Sequence, residues 1–438
     1  MSMFQIGLSG LQSTQKALEV TSNNISNSPT AGFKSGSAEF SALYNNGQRG
    51  GVAISDIRED FATQGEIVQT GEDLDLAITG QGFFPVMEGG RMAYTQAGRF
   101  SLDQNLNVVN ASGAFLQGYG IDENGNVNTG VLTDLKVEAA NLPARATENV
   151  GFSANFSAAS NIIPVAPTFD PTDGAGFNFS QSTEIYDSLG NSHVLTQYFN
   201  HTGANQWSAM YFVDGEPLDA AALTGTPGTI GSQAVDVKGV TMSAGVVTMN
   251  FSATGQLQTL DGTTPANDDP ATDPFGLRKI ALAYTPGNGA GPMNMTLDMA
   301  RSTQFGSGFA MYANEADGYT AGEFSGVDVG EDGTLYATFT NGESKVQGQL
   351  MLATFANVNG LEAGNNTVYY KTPDSGEALF TAPGQGTAGD LLVGAFMGSN
   401  VDISSELVDL MSFQQNYQAN AKTISSADEM IQILFNAT

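Results

Sequence analysis

The chain has 438 residues, 41% of them hydrophobic, and a formal net charge of −30 from 15 basic and 45 acidic side chains. It is too long for one ordinary core and apolar enough to fold, so two or three domains are expected rather than disorder. An acidic surface of this strength repels phosphate backbones and anionic lipid, which excludes nucleic acid as a partner and argues against membrane binding.

In chain order, a first helix is predicted from about Met3 to Ser26, stopping before Pro29, because proline disfavours helix in the residue before it. Its apolar stripe runs Phe4, Leu8, Leu11, Gln15, Leu18, Ser22, Ile25, with spacings alternating four and three. Ser28-Pro29-Thr30-Ala31-Gly32 is a breaker, and from there to about Thr70 no periodicity emerges, which reads as a connector. Leu74, Leu76 and Ile78 then alternate with polar or small residues as far as Gly80-Gln81-Gly82, a strand signal. Hairpin turns are predicted at Asp122–Asn126, Asp187–Asn191, Glu331–Gly333 and Asn341-Gly342. A composition shift marks residues 148–303, which hold both histidines, the sole tryptophan and a low-complexity loop at Asp261–Asp273.

A second long helix is predicted over Ile403–Phe435, capped by Asp402 or Ser404, with Glu406 in its first turn. Its stripe is Ile403, Leu407, Leu410, Gln414, Tyr417, Ala421, Ile424, Asp428, Ile431, Phe435. The fold class is therefore mainly β with terminal α-helices: a coiled-coil-like helical domain built from both chain ends plus two nested β-domains. The expected boundaries are 1–28 (first helix), 29–70 (connector), 71–147 and 304–395 (two parts of the first β-domain), 148–303 (inserted β-domain) and 396–438 (last helix).

Little catalytic chemistry is available. With no cysteine, thiol nucleophiles, thiolate metal sites and redox switching drop out. His193 and His201 are eight apart across an expected strand pair, cannot form a HExxH site, and read as solvated strand residues. Asp122–Asn126 fails the EF-hand spacing, since Val127 stands where glycine is needed. No GxSxG or P-loop occurs, so no catalytic, cofactor-binding or metal residues are expected and the chain does not read as an enzyme. Met1–Gln15 lacks the basic and unbroken apolar regions of a signal peptide, and no apolar run is long enough to span a bilayer.

The helices carry the functional signal. Both are terminal and no other helical segment is predicted for them to pack on. Pairing with each other leaves Ile6, Val20, Met411, Phe413, Met430 and Leu434 unused, which invites helices from other copies. Gln15, Ser22, Gln414 and Asp428 on the stripes fix register at a cost in stability.

Particular motifs go further. Gly7-Leu8-Ser9-Gly10-Leu11, then Thr21–Asn27 with Asn23, Asn24 and Asn27, then Thr30-Ala31-Gly32-Phe33-Lys34-Ser35, resemble the motif shared by bacterial flagellar rod, hook and hook-associated proteins. Leu74–Ile78, Gly80–Phe84 and Tyr94–Phe100 are similar to the rod–hook subset, and Ser412–Lys422 again matches. Ile185–His193 with Tyr198-Phe199 resembles the outer β-domain of the hook family, and residues 204–270 match least.

The resemblance implies a structural subunit of a self-assembling, hollow, curved tube that works as a universal joint, transmitting torque from rod to filament in motility. The terminal helices would line the channel, with the two β-domains facing outward. Implied partners are further copies of the chain, a rod protein at the proximal end, a cap and a hook–filament junction protein at the distal end, and the flagellar type III export apparatus. Implied localisation is extracellular, in the hook, after export without a cleaved signal. A distal rod or hook–filament junction protein is the alternative.

Overall fold

In the computed structural model, which describes residues 3–45, 48–122, 125–163, 168–225, 230–260 and 278–436, the chain opens on helix α1 (Met3–Ser26) and closes on helix α2 (Ile403–Asn436). Hydrophobic periodicity and the breaker at Pro29 place both. After Ser26 the chain turns tightly: the Asn27 N–H donates to the Asn23 carbonyl and the Thr30 N–H to that of Asn27, each at 3.0 Å. Of the two candidate caps for α2, Asp402 is used, its carboxylate accepting the Ser404 N–H at 2.9 Å.

The expected connector is largely a long hairpin, β1 (Gly36–Asn45) and β2 (Gln48–Glu59), paired antiparallel. Register shifts after Glu39 and Leu43 break the two-residue alternation, so neither strand shows a period in the sequence. The hairpin lies along α1, where Ser13 Oγ donates to the Val52 carbonyl at 3.2 Å and the Val52 N–H donates to Ser9 Oγ at 3.3 Å.

Two compact units are present: Met1–Ala140 with Phe324–Phe339 and Glu343–Thr438, and Asn141–Glu323 with Thr340–Gly342. In the first, strand Leu76–Thr79 is buried on both faces, with Leu76, Ala77 and Ile78 at most 1% exposed. The alternation in the sequence therefore marks a fully buried strand, paired with Asp390–Val393, rather than a half-exposed one. Among the described residues the largest sheet of this unit has eleven strands. In it Phe324–Val329, Thr334–Phe339 and Ser344–Leu350 of the returning chain lie side by side, followed by Phe115–Ile121, Phe84–Glu88 and Arg91–Thr95. Phe61, Phe83, Tyr94, Phe355 and Tyr369 meet edge to face at 4.8–5.9 Å in its aromatic core.

The second unit faces a six-stranded sheet against a seven-stranded one, counted among the described residues, over a shared apolar core, with a smaller separate cluster at Phe169, Met210, Phe212, Val235 and Ala244. Phe152 and Phe156 come from strand Asn149–Ser157 of one sheet; Phe199, Trp207 and Tyr211 come from strands Ser192–Gly203 and Gln206–Val213 of the other. The Phe156 ring lies 4.9 Å from Phe199 and 5.1 Å from Trp207. This unit reaches beyond 148–303 at both edges because bridges Leu142–Gly322 and Arg145–Tyr319 draw flanking residues into it, a pairing that composition does not register. The low-complexity stretch Asp261–Asp273 lies outside the described residues, as do two residues of the turn at Asp122–Asn126.

Because Trp207 is the sole tryptophan and fully buried, its emission reports the state of the second unit. Phe156→Ala should destabilise that unit by about 3–5 kcal/mol, the usual cost of emptying a buried aromatic site. Urea unfolding followed at Trp207 should show a lower midpoint with little change in slope.

Candidate functional site

The helical pair is built from small residues. The buried positions of α1 that recur at spacings of three and four are Gly7, Gly10, Thr14, Ala17, Thr21 and Asn24, joined by Ser13. On α2 the least exposed positions are Glu406, Leu410, Phe413, Asn420, Ala421, Ile424 and Ala427. A Cβ added at Gly7 would lie 2.9 Å from Ile424 Cγ1, and one at Gly10 would lie 2.8 Å from Asn420 Oδ1. The absence of side chains there is what lets the helices come this close.

This intramolecular seam on α1 runs one residue away from the apolar stripe read in the sequence. Phe4 and Leu8 are left 43% and 39% exposed, while Leu11, Leu18 and Ile25 are half-buried on the flank. On α2 the two rows share Leu410, Ala421 and Ile424, whereas Ile403, Leu407 and Tyr417 remain 49%, 46% and 36% exposed. The side chains of Ile431, Leu434 and Phe435 lie outside the described residues. Of the residues expected on the unused side, Ile6, Met411 and Met430 are exposed. Val20 and Phe413 are instead half-buried near the hairpin, with the Phe413 ring 6.3 Å from Phe40. A count of large apolar residues finds the widest stripe; two helices alone select the narrowest. Gly7, Gly10 and Ala17 carried that signal at positions three and seven apart.

The motif residues after α1 form a polar joint. Asn24, 2% exposed, ties three segments: its Nδ2 donates to the Gly36 carbonyl at 2.8 Å and to Glu406 Oε1 at 2.9 Å, while its Oδ1 accepts the Gly36 N–H at 2.9 Å. Burial, followed by the neighbouring charges of Asp409 and Asp402, holds the Glu406 carboxyl above the usual carboxylate range against the Asn24 bond. Asn23 and Asn27 close the turn, with Asn27 Nδ2 donating to Asn23 Oδ1 at 3.1 Å and Thr30 Oγ1 donating to Asn27 Oδ1.

Gly32 has φ +69°, and its N–H donates to the Met397 carbonyl at 2.8 Å. Any Cβ there would sit 2.4 Å from the Ala97 nitrogen, so only glycine fits. The half-buried Phe33 accepts the Asn400 N–H on its carbonyl.

Lys34, 3% exposed, donates from Nζ to the Thr63 carbonyl at 3.0 Å. Burial pulls its pKa down, and the charge of Asp60 opposes this only in part. Asn400 completes the joint, accepting the Ser35 N–H at 2.7 Å and donating to the Asp60 carbonyl at 2.9 Å. Asn400, Asp60 and Thr63 escaped the sequence reading because single polar residues between elements carry no period.

The histidines are not solvated and do not face each other across a strand pair. Both lie on strand Ser192–Gly203, on its core side, with His193 8% and His201 5% exposed. His201 stacks on Trp207 at 4.8 Å, and its Nδ1 lies 2.8 Å from the Ser160 carbonyl. An even separation on one strand puts both on one face, and that face is the core. Among the described residues no group of three or more His, Asp or Glu is placed to hold a metal, and no helix is long and apolar enough to cross a membrane.

Helices at both ends of the chain, β structure between them in sequence and a polar joint beside the helices agree with the families the chain matches. These are "Flagella basal body rod protein" over residues 4–34, "Flagellar hook protein FlgE/F/G D1 domain" over 77–155, "Flagellar basal body protein FlaE D2 domain" over 154–319 and "Flagellar basal body rod FlgEFG protein C-terminal" over 393–437. The class is thus that of the flagellar rod and hook proteins.

The chain is 32% identical to the flagellar hook protein FlgE of Escherichia coli over 99% of both chains, and 31% identical to that of Salmonella typhimurium over 99% of both. Against the flagellar hook protein FlgE of Rhizobium meliloti it is 30% identical over 98% of this chain and 97% of the relative. It belongs to the flagellar hook protein family and is a structural subunit of the bacterial flagellar hook; the rod and junction alternatives are not favoured.

Two substitutions test the seam and the joint. Gly10→Leu raises helix propensity by up to about 1 kcal/mol, yet should separate the helices and lower hydrogen-exchange protection in both α1 and α2. Asn24→Ala leaves the Gly36 backbone groups and Glu406 without their partner and should cost about 1–3 kcal/mol, read as a lower midpoint in urea unfolding followed by circular dichroism.

Proposed function

We propose that copies of this chain polymerise through the apolar rows left outside the intramolecular seam, forming a flexible, curved, hollow tube that works as a universal joint and transmits torque from rod to filament. The observation that carries this reading is the exposure of Phe4 and Leu8 on α1 and of Ile403, Leu407 and Met411 on α2, at 39–54% of their surface, in a member of the hook family. In the antiparallel pair these residues lie toward opposite ends, Gly7 meeting Ile424 and Asn24 meeting Glu406, and each end leaves apolar surface that a neighbouring pair can cover. The residues proposed to pack between subunits are Phe4, Leu8, Leu11, Leu18 and Ile25 with Ile403, Leu407, Leu410, Tyr417, Ile424, Ile431 and Phe435. Asn23, Asn24, Asn27, Gly32, Phe33 and Lys34 serve as the connector that orients the helices.

On this reading the subunit leaves the cell unfolded through the flagellar type III apparatus without a cleaved signal and functions extracellularly. It meets a rod protein at the proximal end and a cap and hook–filament junction protein at the distal end. The role is structural rather than enzymatic. Net charge −30 supports solubility of free copies and counts against nucleic-acid partners.

Leu8→Asp and Leu407→Asp test these two surfaces. Each places a charge where burial is expected in the assembly but not in the monomer, so the variants should keep the Trp207 emission and circular dichroism of the parent. Electron microscopy after ammonium sulfate treatment should show curved tubes for the parent and none for either variant. Normal tubes from both variants would remove these surfaces from the interface.

A further inference from the structure

The motif Asp187–His193 builds a charged cluster that the assembly reading leaves unused. Asp187 is fully buried; its Oδ1 accepts the N–H groups of Leu189 at 2.8 Å and Asn191 at 2.9 Å. Its Oδ2 accepts Nδ2 of Asn191 at 2.9 Å and of Asn288 at 2.6 Å. His193 completes the cluster, with Nε2 3.3 Å from Asp187 Oδ2 and Nδ1 2.6 Å from Asp214 Oδ2. Asp214 also accepts the Val194 N–H, at 2.9 Å. An imidazole with a carboxylate oxygen at each nitrogen can donate to both only as the imidazolium; the neutral ring turns a lone pair toward one of them.

The turn held by this cluster braces two other segments. The Tyr186 N–H donates to Thr147 Oγ1 and the Thr147 N–H to the Tyr186 carbonyl, each at 2.9 Å. A Cβ at Gly190 would lie 2.8 Å from Ala144 Cβ and 3.3 Å from Thr320 Oγ1. Residues 142–147 and 317–322 are the segments by which the chain enters and leaves the second unit. They are stitched by reciprocal bonds between Arg145 and Tyr319, both at 3.0 Å.

We propose that His193 is a proton-dependent clamp on these two segments, tight as the imidazolium and loosened when the ring is neutral. The groups that face it are Asp187 from its own hairpin, Asp214 from the next turn, and Tyr284, whose ring lies 5.6 Å from the imidazole and whose phenol hydrogen-bonds Asp214. Glu216 acts on Tyr284, and Asp317 pairs with Arg145 at 3.4 Å on the braced segments.

Burial pulls the His193 pKa down, but hydrogen bonds and charge from Asp214 and Asp187 outweigh it, and the net value lies above 6.5. Burial likewise opposes ionisation of Asp187, Asp214 and Asp317, yet their hydrogen bonds hold all three below the usual carboxylate range. Burial, followed by the charges of Asp214 and Glu216, lifts Tyr284 above the usual phenol range. Those four groups therefore keep their charge state while His193 changes its own. Since the folded value is raised, the bracing is complete below about pH 6.5 and is lost as pH rises through the folded value.

The test uses full-length monomer between about pH 6 and about pH 9: an NMR titration of the His193 ring, and hydrogen exchange at the Arg145 and Tyr319 amides corrected for intrinsic rate. The ring should titrate above 6.5, and protection of both amides should fall several-fold through that titration. In His193→Gln the protection should be low and flat. A ring that titrates at or below 6.5, or protection that ignores its titration, overturns the clamp. Should His193→Gln lose the Trp207 signature of a folded unit, Asp214→Asn replaces it. That variant must move the ring titration and the loss of protection together to lower pH, and an unmoved midpoint overturns the proposal.

Discussion

Helices α1 and α2 meet through residues with almost nothing to bury, and the organisation of both chain ends follows from that. Among the described residues, Ala17 and Ala427 are the only apolar side chains of either helix that are buried. The helices approach closely because Gly7 and Gly10 leave room for Ile424 and Asn420. Close approach in turn pushes the large side chains to the flanks, where a second pair of helices can reach them. A seam lined with leucine would have buried more apolar area within the monomer and left less of it exposed on the flanks.

The joint beside the helices is stabilised differently. Asn24, Lys34 and Asn400 are bound to backbone groups of neighbouring segments, so the geometry between helix and β unit is set by direction rather than by apolar area. Directional bonds in a partly dry setting tolerate little displacement before they are lost. A hydrophobic contact of the same size would slide. The connection is therefore stiff where the chain passes from helix to hairpin, at Asn24, Gly32 and Lys34.

The elements legible in the sequence were those with one dominant period or one dominant breaker. Heptad spacing and Pro29 were enough for α1; heptad spacing and Asp402 were enough for α2. Glycine-rich turns such as Asp187–Asn191 were legible because few residues accept the φ of +84° found at Gly190. The hairpin β1–β2 was not, since two register shifts scramble its alternation. Periodicity also misplaced the intramolecular row on α1 by one residue, because it weighs bulk whereas contact between two helices weighs proximity. Residue type alone makes the histidines look solvated, but position on the strand decides: His193 and His201 share the core face with Leu195 and Phe199. Motif resemblance carried the identity of the chain, and the polar joint gives part of that motif a physical meaning.

The bond between Asn24 and Glu406 closes a span of 382 residues. Every contact between α1 and α2 shares that property, so the first helix finds its partner only after the rest of the chain has been made. Until then the element beside it in the chain, the hairpin β1–β2, is what it can pack on, and its α2-facing side is uncovered. The loop that must close is among the longest the chain permits, which places helix pairing late in folding. A chain arranged this way completes the packing of its first residues only with its last ones, so both ends are finished in a single step.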